Sequence, residues 1–294
     1  MHTQRIHRNL YAALAAAVPA FLGLSVAPAQ DTAPPAAQAE KLPSAREVID
    51  RHIAAIGAKD MVEKTTSSHM KGSIVIEGIG LKGTFERFSA KPDKKFEKST
   101  MDGVGDTQGG FDGQVAWTVH PMMGTMVMEG AERFQTAMDA DYDSVLMPAE
   151  DYEKLEVQGR EKFEGRDCYK LLAVYRAPAD PQEAKDTEKV RTTTSWFDVE
   201  TGYQAGVKVT AAQGGMQVPM TIVFADYKKF GDYSLPAKTT MDVPGAKVVI
   251  TTTEVVYDQV DPKVFELPEG VRALIKDAKA PVSAGSGAGG GGGG

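Results

Sequence analysis

Apolar residues follow two rhythms along this chain. Between Ser44 and Gly57 they recur at helical spacing, with Ile49, Ile53 and Ile56 on one stripe and Val48 beside it. Ser44-Ala45-Arg46-Glu47 has the form of a capping box, in which the serine oxygen accepts from an orphan amide and the glutamate reaches back. Pro43 discourages helix upstream, and Gly57 suits a left-handed terminus. The pattern predicts one striped helix, which must lie on an apolar surface, and a further short turn of helix over Asp60-Met61-Val62-Glu63. From Ser67 the period becomes two. Residues 71–77, 81–89, 95–101, 106–111, 114–120, 125–128, 154–163, 167–176, 191–199, 203–211, 218–227, 233–243 and 246–257 read as strands, and turn glycines separate many of them. One helical interruption is expected at Ala131–Met138. Pro178–Lys189 is charged and aperiodic, and reads as a long exposed hairpin connection.

Two strand features refine the architecture. Asp112-Gly113 is a hairpin signal, because both central residues of a type I′ turn need positive φ. After it, Val115, Trp117 and Val119 alternate with Gln114, Ala116 and Thr118. This hairpin is expected at the centre of a curved sheet. Elsewhere, Met220-Thr221-Ile222-Val223-Phe224 and the run from Tyr169 to Val174 carry apolar residues on both alternating sets. A sheet with water on one side alternates cleanly, so both faces are expected to be covered in places. A strongly curved antiparallel sheet with a helix laid into its mouth would do that.

Arg5 and Arg8, the apolar run Leu10–Val26 and Ala27-Pro28-Ala29 predict a signal peptide over residues 1–29, cleaved after Ala29. An uncleaved anchor is the alternative, and Pro19 and Gly23 interrupt its run. Residues 30–43 read as a flexible linker, 44–275 as one folded domain, and 276–294 as a disordered glycine-rich tail. Loss of the two arginines takes the net charge from −7 to −9. An acidic exported domain does not point to nucleic acid. The single cysteine, Cys168, sits in an apolar alternation and reads as a small buried hydrophobe.

No catalytic set stands out. Gly78-Ile79-Gly80-Leu81-Lys82-Gly83 matches a dinucleotide fingerprint in letters only, because strand rather than helix follows it. His52, His69 and His120 have no metal spacing, and His52 reads as a partly buried structural histidine. Asp139, Asp141 and Asp143 around Tyr142 lack the glycine and glutamate of a calcium loop and read as a solvated acidic loop. Neither metal nor cofactor is nominated. The suggestive chemistry is soft: Met122, Met123, Met126 and Met128 fall within seven residues. Methionine suits surfaces that take varied apolar partners, and it equally suits a loosely packed core hairpin.

Three local patterns, in order, resemble the LolA-like periplasmic lipoprotein carriers and outer-membrane lipoprotein-sorting proteins. They are Phe85-Glu86-Arg87-Phe88-Ser89-Ala90-Lys91-Pro92-Asp93-Lys94-Lys95-Phe96, Asp112-Gly113-Gln114-Val115-Ala116-Trp117, and Asp261-Pro262-Lys263-Val264-Phe265-Glu266-Leu267-Pro268-Glu269-Gly270-Val271. The resemblance covers about residues 44–275. It implies a mainly β fold: a curved antiparallel sheet forming an unclosed half β-barrel, with an amphipathic helix across its concave face and acyl chains held between. It also implies a lid latch at Lys91, where the carriers have arginine; lysine reaches a lid carbonyl but lacks the planar fork. The 178–189 segment and the glycine tail depart from the compact carriers.

The expected function is a periplasmic binding or carrier role rather than catalysis: a lipid, lipoprotein acyl chains or another apolar ligand held in the hollow of the half-barrel. Candidate lining residues are Ile49, Ile53, Ile56, Phe85, Trp117, Met126 and Met128. Expected partners are a lipid or acylated protein and an inner- or outer-membrane protein, with the chain itself a monomer. The rival reading is an envelope-stress sensor or interaction module of the same fold, supported by the acidic balance and the charged 178–189 segment.

Overall fold

The computed structural model describes residues 41–279 except 214 and 244. The expected signal peptide, nearly all of the linker and the tail from residue 280 lie outside the described residues.

The chain opens with α1 (Ala45–Ile56) and α2 (Ala58–Lys64). Ser44 and Glu47 close the capping box, with the Glu47 amide donating to Ser44 Oγ at 3.2 Å and the Ser44 amide to Glu47 Oε2 at 2.7 Å. Gly57 ends α1 at φ 76°. Six strands follow: β1 (Ser67–Glu77), β2 (Leu81–Ala90), β3 (Lys94–Met101), β4 (Gly105–Phe111), β5 (Ala116–His120) and β6 (Gly124–Val127). After α3 (Gly130–Ala140) come β7 (Tyr152–Phe163), β8 (Arg166–Tyr175), α4 (Pro181–Thr187), β9 (Thr192–Asp198), β10 (Gln204–Gln213), β11 (Met216–Phe230), β12 (Tyr233–Val243) and β13 (Ala246–Tyr257). The last described element is α5 (Glu269–Lys279).

All thirteen strands form one antiparallel sheet, in the order β6-β5-β4-β3-β2-β1-β13-β12-β11-β10-β9-β8-β7, and it does not close. Two meanders therefore form two wings, joined where β1 pairs with β13. The hairpin at Asp112 lies near one end of this order, in β4 and β5, and not at its centre as expected. Sequence order does not disclose that first and last strands pair.

The topology dictates where α3 goes. β6 ends one wing and β7 begins the other, at opposite edges of the sheet. The chain between them must cross the whole sheet. The sheet curls around this crossing, since α3 touches β3, β4 and β5 on one side and β10 on the other.

Three expectations need correction. The loop at Asp112 is not a type I′ turn: only Gly113 has positive φ, at 101°, and four residues separate the pair Phe111 and Ala116. Asp112 Oδ1 instead accepts from the amides of Gln114 (2.9 Å) and Val115 (2.8 Å), so a side chain does the work of a tight backbone turn. Residues 178–189 contain a helix, α4, capped by Asp180 Oδ1, which accepts from the amides of Gln182 and Glu183, with Pro181 at its first position. Finally, α5 runs to Lys279, beyond the boundary at 275, and packs on the edge strand β6. Covering an edge removes a template for pairing with other chains.

The two-faced strands have two explanations. On one face of β8, Leu171 and Ala173 are buried under α1. On the other, Cys168 is covered by Trp196 and Phe163, whose rings stack at 4.3 Å. Burial pushes the Cys168 thiol up to about 11, as befits an unreactive, enclosed sulfur.

Candidate functional site

The curl around α3 leaves two hollows. The first, of about 660 Å³, has walls from both wings: Met70, Ile74 and Phe85, Trp117 and Met128, then Ile222, Phe224, Met241 and Ile250. The second, of about 580 Å³, is lined by His52, Gln135, Met138, Tyr152, Tyr175, Thr193, Ser195, Gln204 and Met220, among others. Lys95, Thr136 and Asp139 border both. The first hollow is the more apolar, and hydroxyl and amide groups mark the second.

Glycine makes room for the aromatic walls. Trp117 stands directly opposite Gly110, and Phe85 opposite Gly72. A Cβ at Gly110 would come within 3.2 Å of the indole and 2.6 Å of the Lys95 carbonyl oxygen. At Gly72 it would clash with the Phe85 ring and with the Thr251 carbonyl oxygen. Each ring thus lies across a bare stretch of backbone. Phe96 continues the Trp117 stack, at 6.1 Å between centroids.

Polar contacts hold α3 over the hollows. At its C-terminal end, Arg87 Nη2 donates to the Asp139 carbonyl oxygen (2.8 Å) and to Asp139 Oδ1 (3.0 Å), and Lys95 Nζ donates to Asp139 Oδ2 at 2.5 Å. Glu97 pairs with both cations, at 3.1 and 3.4 Å. Burial alone would lower the Arg87 pKa and raise that of Asp139. Their mutual attraction, joined by Glu97 and Lys95, outweighs it and holds Asp139 well below the carboxylate range and Arg87 above its ordinary value. In the middle of α3, the Gln135 amide donates to the Thr210 carbonyl oxygen and accepts from the Ala212 amide, both at 2.7 Å, so it pairs like a strand with β10. Near the start, Glu132 accepts from the Gly215 amide at 3.0 Å, and Arg133 pairs with Glu183 of α4 at 3.4 Å.

The acidic stretch is only in part the solvated loop expected: Asp139 is the penultimate residue of α3, and although it and Asp143 are exposed, Asp139 is engaged by two cations and Asp143 faces Lys91 at 3.6 Å. Tyr142 is buried, and its hydroxyl shares a hydrogen bond with Thr65 Oγ1 at 2.8 Å. Lys91 Nζ donates to the Val62 carbonyl oxygen of α2 at 2.5 Å.

The candidate lining residues separate into three groups. Phe85, Trp117 and Met128 border the first hollow together. Ile49 is wholly buried in a core with Val48, Tyr152, Leu171, Ala173 and Phe197; Ile53 packs against that core, and Ile56 is buried near the helix end. None of the three borders either hollow. Met126 is exposed and borders neither. The striped face of α1 is filled by protein, and only His52 reaches the second hollow. The His52 Nδ1–H donates to the Gly202 carbonyl oxygen at 3.0 Å, and burial lowers its pKa to about 4 despite that bond. Sequence reasoning missed Arg87, Lys95, Asp139 and Gln135 as anchors of α3. Gly110 and Gly72 carried a readable signal, each a mid-strand glycine placed to face an aromatic.

No protein-family model matches the chain, and no curated protein matches it by sequence. Solved structures do match. A LolA superfamily protein from Nitrosomonas europaea is 11% identical with a TM-score of 0.52, covering 77% of this chain and 99% of its own. A DUF1329 family protein from Desulfovibrio piger is 17% identical with a TM-score of 0.50, covering 76% of this chain and 97% of its own. The fold is LolA-like: a mainly β half-barrel, open along one side, with helices on its concave face.

Proposed function

We propose that this protein is a periplasmic carrier that holds the acyl chains of a lipid or lipoprotein in the first hollow. The observation that supports it most directly is the composition of that hollow. Its walls carry methionine, isoleucine and aromatic side chains from both wings, and Glu86, Arg87, Lys95, Glu97, Lys98 and Asp139 line it as well. Acyl chains need apolar area and little directional chemistry, at about 0.8 kcal/mol per buried methylene. The volume falls within the usual range of ligand sites. The LolA-like fold and the predicted export signal agree with this reading, which is one of binding and not of catalysis. The rival sensor reading drew on the acidic balance and on residues 178–189 as an exposed charged loop; α4, with Glu183 paired to Arg133 of α3, makes that segment an ordered one.

Trp117 reports on the hollow, while Trp196 is stacked with Phe163 on the other face of the sheet. In a Trp196→Phe variant, a brominated fatty acid should quench the emission, and an unbrominated one should displace it. Native mass spectrometry of protein from its host should show a bound lipid. Unquenched emission together with ligand-free protein would falsify the proposal.

A further inference from the structure

Eight large hydrophobic residues are exposed among those described, and six of them gather on one rim of the sheet. The strand register shows why. The β1–β2, β3–β4, β5–β6, β10–β11 and β12–β13 turns all lie at the same end of their strands, and these five hairpins are consecutive in the sheet. Ile79 (75% exposed) caps the first turn, Val104 the second, Met122 (84%) and Met123 (61%) the third, and Met216 (65%) the fourth; Met126 follows two residues behind the third tip. Two strand widths separate neighbouring tips, roughly 10 Å.

We propose that this rim docks the protein on a lipid bilayer, each tip entering the headgroup region and the upper apolar layer. Four observations favour a bilayer over a protein. The apolar groups stand on separate turns, an arrangement that a fluid bilayer accommodates tip by tip. Methionine adapts its shape to such surroundings. Behind the tips, charges of both signs are interspersed: Lys98 pairs with Asp106 at 2.7 Å and Lys247 with Asp242 at 3.6 Å, Glu77 stands opposite Lys247 on β1, and Lys82 and Asp102 flank the first and second turns. Near-balanced signs favour no strong field, which fits a zwitterionic surface. Finally, the first hollow reaches Thr107 and Met241, each two residues from the end of its strand on this rim. Among the described residues no helix is long and apolar enough to cross a membrane. The inference stands apart from what the hollow holds.

The test uses processed protein purified from the periplasm and protein-free phosphatidylcholine vesicles, with and without added phosphatidylglycerol. The protein should float with both, independently of salt. A variant combining Ile79→Ser, Met122→Ser, Met123→Ser and Met216→Ser should partition about tenfold less per side chain removed, with its thermal midpoint unchanged. As a second readout, a polarity-sensitive dye on Met123→Cys should shift to the blue with vesicles, while the same dye on Asp232→Cys, in the turn at the opposite end, should not; Cys168 is buried and takes no label. The proposal is overturned if only protein-containing membranes bind, if flotation needs phosphatidylglycerol and fails in salt, if the variant floats as well as the parent, or if the dye at 232 shifts instead.

Discussion

Two helices lie on the same concave face and are held there by different physics. α1 is embedded: Val48 and Ile49 are buried against Tyr152, Leu171, Ala173 and Phe197, and its one inward polar group, His52, is neutral and hydrogen-bonded. α3 buries a single residue, Ala140, and is retained by ion pairs and amide bonds at Asp139, Gln135 and Glu132. Apolar burial is non-directional and lost only when the core opens. Polar contacts of this kind are individually modest and can exchange with water. α1 is thus part of the wall, and α3 is a strap whose release leaves the wall standing.

The contrast fails first, if it fails, at Ile49. Ile49→Ala should destabilise the whole domain by about 3 to 4 kcal/mol, the cost of a cavity in a filled core. Chemical denaturation measures it, and a loss below about 1 kcal/mol would show α1 to be loosely seated. Acid should come next. The His52 pKa, about 4 when folded, lies below its ordinary value of 6.5. The unfolded chain therefore binds the extra proton first as pH falls. The stabilisation is complete above about pH 6.5 and is lost progressively toward pH 4, by roughly 3 kcal/mol. Asp139 stays ionised through that window, so α3 should keep its ion pairs while α1 weakens. A His52→Gln variant should flatten this part of the pH–stability curve. The smallest effect falls on α3 alone. Asp139 is about half exposed, so Asp139→Asn should cost only about 1 kcal/mol globally. It should nevertheless speed amide exchange across α3 well before that across α1; equal acceleration in both helices would refute the strap.

The sequence disclosed all thirteen strands, because alternation and turn glycines are local signals. It disclosed α1 through its stripe and its capping box. α4 escaped because it is short and charged, although Asp180-Pro181 followed by Glu183 is a helix start. α5 escaped because Pro268 and Gly270 interrupt the approach to Val271 and Leu274. The order of the sheet was not legible, since nothing local in β1 or β13 names the other. That omission placed the Asp112 hairpin at the centre instead of near an edge. The hollow was half legible. Phe85, Trp117 and Met128 border it, but Ile49, Ile53 and Ile56 fill a core, and an apolar pattern does not distinguish a wall facing space from one facing protein. Arg87 and Asp139 meet across 52 residues of chain, a distance that only the β6-to-β7 crossing explains.

That β1 and β13 adjoin also orders the assembly of the molecule in time. Every other pairing joins neighbours in sequence, and ten of those eleven are hairpins with short loops, the exception being β8 and β9, which are joined through α4. Short loops close at little entropic cost and quickly. Each wing can therefore zip from its own turns, with no information from the other. The pairing of Ser68 with Tyr257 closes the longest loop in the sheet, and its cost falls once, on two pieces already formed. Until that seam closes, each wing has its own exposed edge, and the barrier to folding belongs to the joining of β1 with β13.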